Sequence, residues 1–148
     1  VIKQPPPATL HWRRILVATG GSPWSDAAVD HAIALARAQR LEMCLLYVDQ
    51  RRSRRTDSLF NLTSDGKNIL ALAEARAVAA SVPYEARFAQ GDVATTILAT
   101  ATEQHCDVIV LGSRGLTGFK RLMLGSTSNA VSATAPVPVL IVKRFLLP

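Results

Sequence analysis

The chain has 148 residues, of which 49% are hydrophobic and 19% charged, and carries a formal net charge of +6. That length suits one domain able to bury a core without disulfide or metal staples, and that composition excludes a chain disordered throughout. No apolar run approaches the roughly 20 residues that cross a bilayer, and the opening VIKQPPPATLHWRR lacks the apolar segment of a secretory signal, so the expectation is a cytoplasmic protein with no membrane partner.

In chain order, residues 1–11 read as a disordered, Pro-rich leader, extended through QPPPAT, ahead of a single domain over 12–148. RRILVAT (13–19) is the first strand, apolar without interruption as a strand buried on both faces is. GGSPWSD turns the chain, and Pro23 or Ser25 starts a helix whose Ala27, Val29 or Asp30, Ala34 and Ala38 positions change face at helical period. MCLLYVDQ (43–50) is the second strand. A basic loop follows, and then a helix over 65–82 with Ile69, Leu72, Ala73 and Arg76 at helical spacing, closed by Pro83. YEARFAQ (84–90) alternates enough to be an outer strand. GDVATTILATATEQH (91–105) is a third helix with Val93, Ile97, Leu98 and Ala101 inward, and CDVIVLGS (106–113) is the fourth strand. A Ser/Thr-rich start opens a last helix near STSNAVSATA (126–135), and PVPVLIVKR (136–144) holds the fifth strand. Such alternation predicts an α/β fold, a doubly wound five-stranded parallel sheet with helices on both faces and right-handed crossovers.

The excess positive charge crowds into RRSRR (51–55). With no interleaved aromatics and no binding motif, this reads as a solvated loop, and nucleic acid is not an expected partner. Cys44 and Cys106 lack a second ligand at metal spacing and read as two small buried residues in a reducing compartment. His11, His31 and His105 stand apart, and Asp26, Asp30 and Asp92 read as helix-start or surface carboxylates, so neither a catalytic group nor a metal site is assigned.

The chemistry concentrates at two strand ends. In doubly wound sheets a ligand sits beyond the strands' C-terminal ends, where neighbouring loops part to opposite faces. TGGS (19–22) follows the first strand, and GSRGLTGFKRLMLG (112–125) follows the fourth, with Ser126 next. Glycines let a ligand approach the main chain, and the unpaired first amides of the helix opened by Ser126 to Ser128 suit phosphate oxygens. Arg114, Lys120 and Arg121 supply positive charge nearby. Two glycines alone would imply no more than a turn. Here the spacing, the strand before it and the helix start after it agree.

That spacing, G-x2-G-x9-G-[ST], resembles the universal stress protein family, and Gly112, Gly115, Gly125 and Ser126 match it without a gap. RRILVATGGS, LLYVD, AQGDVATTIL, CDVIVLGSRG and PVPVLIVKR stand where that family has corresponding segments, over residues 13–144. The resemblance implies strand order 3-2-1-4-5 and homodimers paired through the last strand, here Val139, Leu140, Ile141 and Val142. It also implies a cofactor, ATP with or without Mg2+. The adenine would lie near Ala18, Thr19 and Val48, and the ribose and phosphates near Gly112, Arg114, Gly115, Gly125, Ser126, Thr127 and Ser128. Gly20 departs from the pattern, standing where ATP-binding members carry Asp. The function implied is an ATP-binding regulator of the stress response, a nucleotide-dependent switch or dimer with a further, unknown protein partner, with at most slow ATP hydrolysis or autophosphorylation. Three other readings remain open: a member that binds no ATP and acts by protein contacts, an accessory domain of a larger protein, and an adenylating enzyme with an S-G-G-x-D-S loop. Pro23 and Trp24 stand where that last chemistry needs Asp and Ser.

Overall fold

The computed structural model describes residue 4 and residues 9–50, 56–114 and 125–143, with the side chains of 56–64 excepted. The leader (apart from residues 4 and 9–11), the basic loop at 51–55, Gly115, Lys120 and Arg121 lie outside the described residues. Nine elements alternate: β1 (Arg14–Ala18), α1 (Pro23–Gln39), β2 (Glu42–Asp49), α2 (Thr56–Ala79), β3 (Tyr84–Gln90), α3 (Val93–Glu103), β4 (Val108–Gly112), α4 (Ser126–Thr134) and β5 (Val139–Val142).

The strands form one parallel sheet in the order β3-β2-β1-β4-β5. Ile15, Leu16 and Val17 of β1 have no exposed surface, because helices cover both faces of the central strands. The two-residue period of a strand then divides the core. Ile15 and Val17 pack with Met43, Leu45, Val108 and Val110 under α1 and α2, whereas Leu16 packs with Cys44, Leu46 and Ile109 under α3 and α4. β3 is an edge strand, as its alternation predicts, and β5 is the opposite edge.

Each helix has a local reason to start. Ser22 caps α1 by accepting a hydrogen bond from the Ser25 amide, and Pro23 follows in the first turn, where a missing N–H is harmless. The buried stripe of α1 is Ser25, Ala28, Val29, Ala32 and Ala36. Of the positions that the sequence marks as its period, only Val29 is in the core, and Ala34 and Ala38 are exposed. Alanine's indifference to burial conceals the phase of so Ala-rich a helix. Likewise α2 starts at Thr56 rather than Asp65. Asp65-Gly66 reads as a turn, but Gly66 lies within the helix, where a Cβ would come within 2.5 Å of the Tyr47 ring. Leu72, at helical spacing, is 68% exposed, and Leu70, Ala73 and Ala77 carry the contact. In α3, Ile97 and Ala101 are buried as expected, Val93 and Leu98 half-buried, and Asp92 is the cap.

The N-terminal ends of the strands are tied by polar contacts. The Asp107 carboxylate accepts from the amides of Arg13 at 2.7 Å and Arg14 at 3.0 Å. The Arg14 guanidinium donates to Glu42 Oε2 at 2.8 Å and to the Gln104 carbonyl at 3.2 Å. Among the described residues, no helix is long and apolar enough to cross a membrane.

Candidate functional site

The sheet reverses its winding between β1 and β4. From β1 the chain leaves to α1 on one face, and from β4 it returns through α4 on the other. The crevice of a doubly wound fold opens at this point.

One wall is the β1–α1 turn. Gly21 has φ +82°, which a residue with a Cβ adopts only under strain. Ser22 and Ser25 form a compact polar knot: the hydroxyls lie 3.2 Å apart, Ser25 Oγ accepts from the Gly20 amide at 3.2 Å and donates to the Ser22 carbonyl at 2.9 Å. The Gly20 amide thus has a partner within the protein. A Cβ built on Gly20 meets nothing within 4 Å, so that position faces open space.

The other wall is β4 and the chain beyond it. A Cβ on Gly112 would lie 2.6 Å from both the carbonyl carbon and oxygen of Trp24. Glycine is therefore required there so that the first turn of α1 can rest on β4. Ser22 Oγ also reaches the Arg114 carbonyl at 3.4 Å, and the Arg114 guanidinium lies over the Trp24 ring, 5.9 Å from its centroid. The two ends of the long loop are joined. The Gly125 amide donates to the Ser113 carbonyl at 2.7 Å, and Ser128 Oγ, 3% exposed, donates to the Gly112 carbonyl at 2.6 Å. Ser128 is thereby a fastener of the loop, its proton already given to the main chain.

What remains open is the start of α4. Gly125 is its N-cap with φ −60° and ψ 159°, and among the described residues no side chain caps it. By contrast Ser22 caps α1 and Asp92 caps α3, the latter accepting from the Thr95 amide and hydroxyl. The Thr95 amide, and then its hydroxyl, hold the Asp92 carboxyl below its usual range. Ser126 is exposed and Thr127 half-exposed at the α4 start, and the first amides there have no intrahelical acceptor. Ala18 and Val48, both partly buried, lie on the α3/α4 side of the sheet near the C-terminal ends of β1 and β2. Thr19 is buried and gives its amide to the Leu46 carbonyl at 2.9 Å.

The structure thus ties the turn that holds Gly20, through Ser25 and Ser22, to Arg114 beyond β4, and fastens Gly125 and Ser128 at the start of α4, with Ser126 and Thr127 between them, to Ser113 and Gly112 at the end of the same strand. Gly115 is outside the described residues. The sequence reading misses the part played by Ser22, Trp24 and Ser25. The signal was available, since Ser-Pro before a helical run is a cap signature. Two hollows lie elsewhere, one of about 150 Å³ between α1 and α2 and one of about 560 Å³ between β3 and α3. Among the described residues no group of three or more His, Cys, Asp or Glu is placed to hold a metal.

A five-stranded parallel sheet of order 3-2-1-4-5, with two loops parting at its centre, defines a doubly wound α/β protein. Residues 11–143 match the Universal stress protein family. The chain belongs to that family. It is similar to Universal stress protein YxiE of Bacillus subtilis, at 35% identity over 89% of this chain and 99% of that protein. Among solved structures, MJ0577 of Methanocaldococcus jannaschii superimposes with a TM-score of 0.82 at 26% identity, covering 93% of this chain and 100% of that one. A universal stress protein in complex with cAMP superimposes with a TM-score of 0.72 at 27% identity, covering 89% of this chain and 97% of that one.

Proposed function

We propose that this chain is an ATP-binding regulatory protein of the stress response, in which occupancy of the β1/β4 crevice governs how copies pair. The observation that carries the proposal is the start of α4, a helix N-terminus that no side chain among the described residues caps, at the switch point of the sheet. Its positive dipole end and its first amides, which have no intrahelical acceptor, suit a phosphate chain, and a related structure holds the nucleotide cAMP.

The residues present fit such a ligand. Ser126 and Thr127 stand at the helix start, Arg114 follows β4 with its guanidinium over the Trp24 ring, and Ala18 and Val48 provide an apolar surface of the kind a purine covers. Mg2+, where it takes part, would be held chiefly by phosphate oxygens and water. Copies pair along β5, an outer strand whose Leu140 is 42% exposed.

Calorimetric titration of the full chain with ATP and Mg2+ tests this, with cAMP as the competing ligand. Saturable binding at up to millimolar ATP, lost in a Gly115→Val variant, is expected. No heat with either nucleotide would leave the second reading, a member acting by protein contacts alone, which Gly20 in place of Asp favours.

A further inference from the structure

The apolar side of α3 covers the middle of the sheet, where Ile97 and Ala101 pack with Leu16, Leu46 and Ile109. The flank that faces β3 differs in kind. Thr96, Ala99, Thr100 and Glu103 fall at i, i+3, i+4 and i+7, one stripe of the helix, and border the groove of about 560 Å³ between β3 and α3. On the sheet side, Glu85, Arg87 and Ala89 alternate onto one face, in register with Cys44, Leu46 and Val48 of β2. A polar helix flank thus faces a polar strand, and among the described residues no hydrogen bond joins these α3 side chains to β3.

The unmatched group is on Arg87. Its Nη2 donates to Glu85 Oε1 at 2.8 Å, whereas its buried Nε has no hydrogen-bond partner among the described residues. A buried donor left unpaired is costly, and an acceptor supplied by a ligand removes that cost. The remaining polar groups define the rest of such a ligand. The carboxylates of Glu85 and Glu103 accept only, and the hydroxyls of Thr96 and Thr100 both give and accept. One guanidinium stands against two carboxylates, which disfavours an anion, and the guanidinium itself opposes a cation. Ala89 and Ala99 add small apolar surfaces and leave far more room than one bridging water needs. An uncharged molecule with hydroxyls around its edge and C–H groups on its face meets all of these demands.

We propose that the β3/α3 groove binds a neutral polyhydroxy ligand of mono- or disaccharide size, with Arg87 as its principal donor. The Arg87 side chain is 38% exposed, and a small turn of the fork about its Glu85 bond presents Nε to a hydroxyl oxygen. Glu103 accepts from a neighbouring hydroxyl, Thr100 exchanges hydrogen bonds with another, and the C–H face rests on Ala99. The groove opens to solvent along one side, which keeps the affinity in the millimolar range. It shares none of the residues assigned to the β1/β4 crevice, so binding there is independent of the nucleotide reading.

The test is a 1H–15N NMR titration of the full chain with D-glucose, maltose and myo-inositol in separate runs, following the Arg87 Nε–H resonance and the amides of Thr96 and Thr100. A saturable shift centred on these groups is expected with at least one of the three. Arg87→Lys keeps the charge but lacks Nε, and weakens that binding about tenfold or more. Ala99→Leu, at an exposed helix position, removes no polar group and fills the groove, so it abolishes the shift while the rest of the amide spectrum stays that of the folded chain. Sodium acetate and glycine probe the charge argument, and each binds more weakly than the polyol. The proposal is overturned if none of the three polyols gives a saturable shift in the millimolar range, if Arg87→Lys and Ala99→Leu bind as the wild-type chain does, or if acetate or glycine binds more tightly than every polyol.

Discussion

Glycine carries two different duties at the crevice, and substitution separates them. Gly112→Ala places a Cβ against the backbone of Trp24. Neither main chain can yield easily, so a loss of about 1–3 kcal/mol of stability is expected in urea unfolding. Gly20→Ala meets open space and changes stability by no more than about 0.5 kcal/mol in the same assay. For the same reason Gly20→Asp is accommodated. If the nucleoside lies against the end of β1, the new carboxylate tightens ATP binding by about 1–3 kcal/mol through an added hydrogen bond, and unchanged or weaker affinity by calorimetry would contradict that placement. Spacing makes these glycines visible in the sequence. Which of them serves packing is not visible, because Trp24 lies 88 residues before Gly112 and meets it only when α1 docks on β4.

At the scale of the elements, the helix starts divide by what satisfies them. Ser22 caps α1 and also reaches Arg114, so Ser22→Ala costs about 1 kcal/mol as a lost cap. The same substitution loosens the loop exit, which faster amide exchange at Ser113 and Arg114 would record. Asp92 caps α3 through Thr95, and its pKa is depressed from the ordinary 3.8. A depressed carboxyl contributes stability that is full above the unfolded-state value and is lost as pH falls through the lower folded-state value. The stability difference between the wild-type chain and Asp92→Ala is therefore expected at neutral pH and vanishes progressively below about pH 3.8. A difference independent of pH would mean that the carboxylate charge plays no part. Strand spans were legible to within a few residues, since continuous apolar runs have one use in a two-sided sheet. The beginning of α2 and the buried phase of α1 were not, since Asp-Gly imitates a turn and alanine carries little burial signal.

For the molecule as a whole, the strand order places the switch point between β1 and β4 near the centre and leaves β3 and β5 as edges. If copies pair along β5, Leu140→Lys sets a charge on the joining edge and shifts the chain from dimer to monomer in sedimentation velocity. A dimer that persists would locate pairing elsewhere. Sequence alone determined the alternation of strands and helices, the parallel α/β class and the family, because apolar period and glycine spacing are local properties that survive in one dimension. Tertiary structure alone decided that Ser128 fastens a loop rather than standing free, that Gly112 is a packing surface for Trp24, and that Asp107 ties the amides of Arg13 and Arg14. Each of these joins residues distant along the chain, and such pairs come within bonding range only after the sheet assembles and the helices close over its faces.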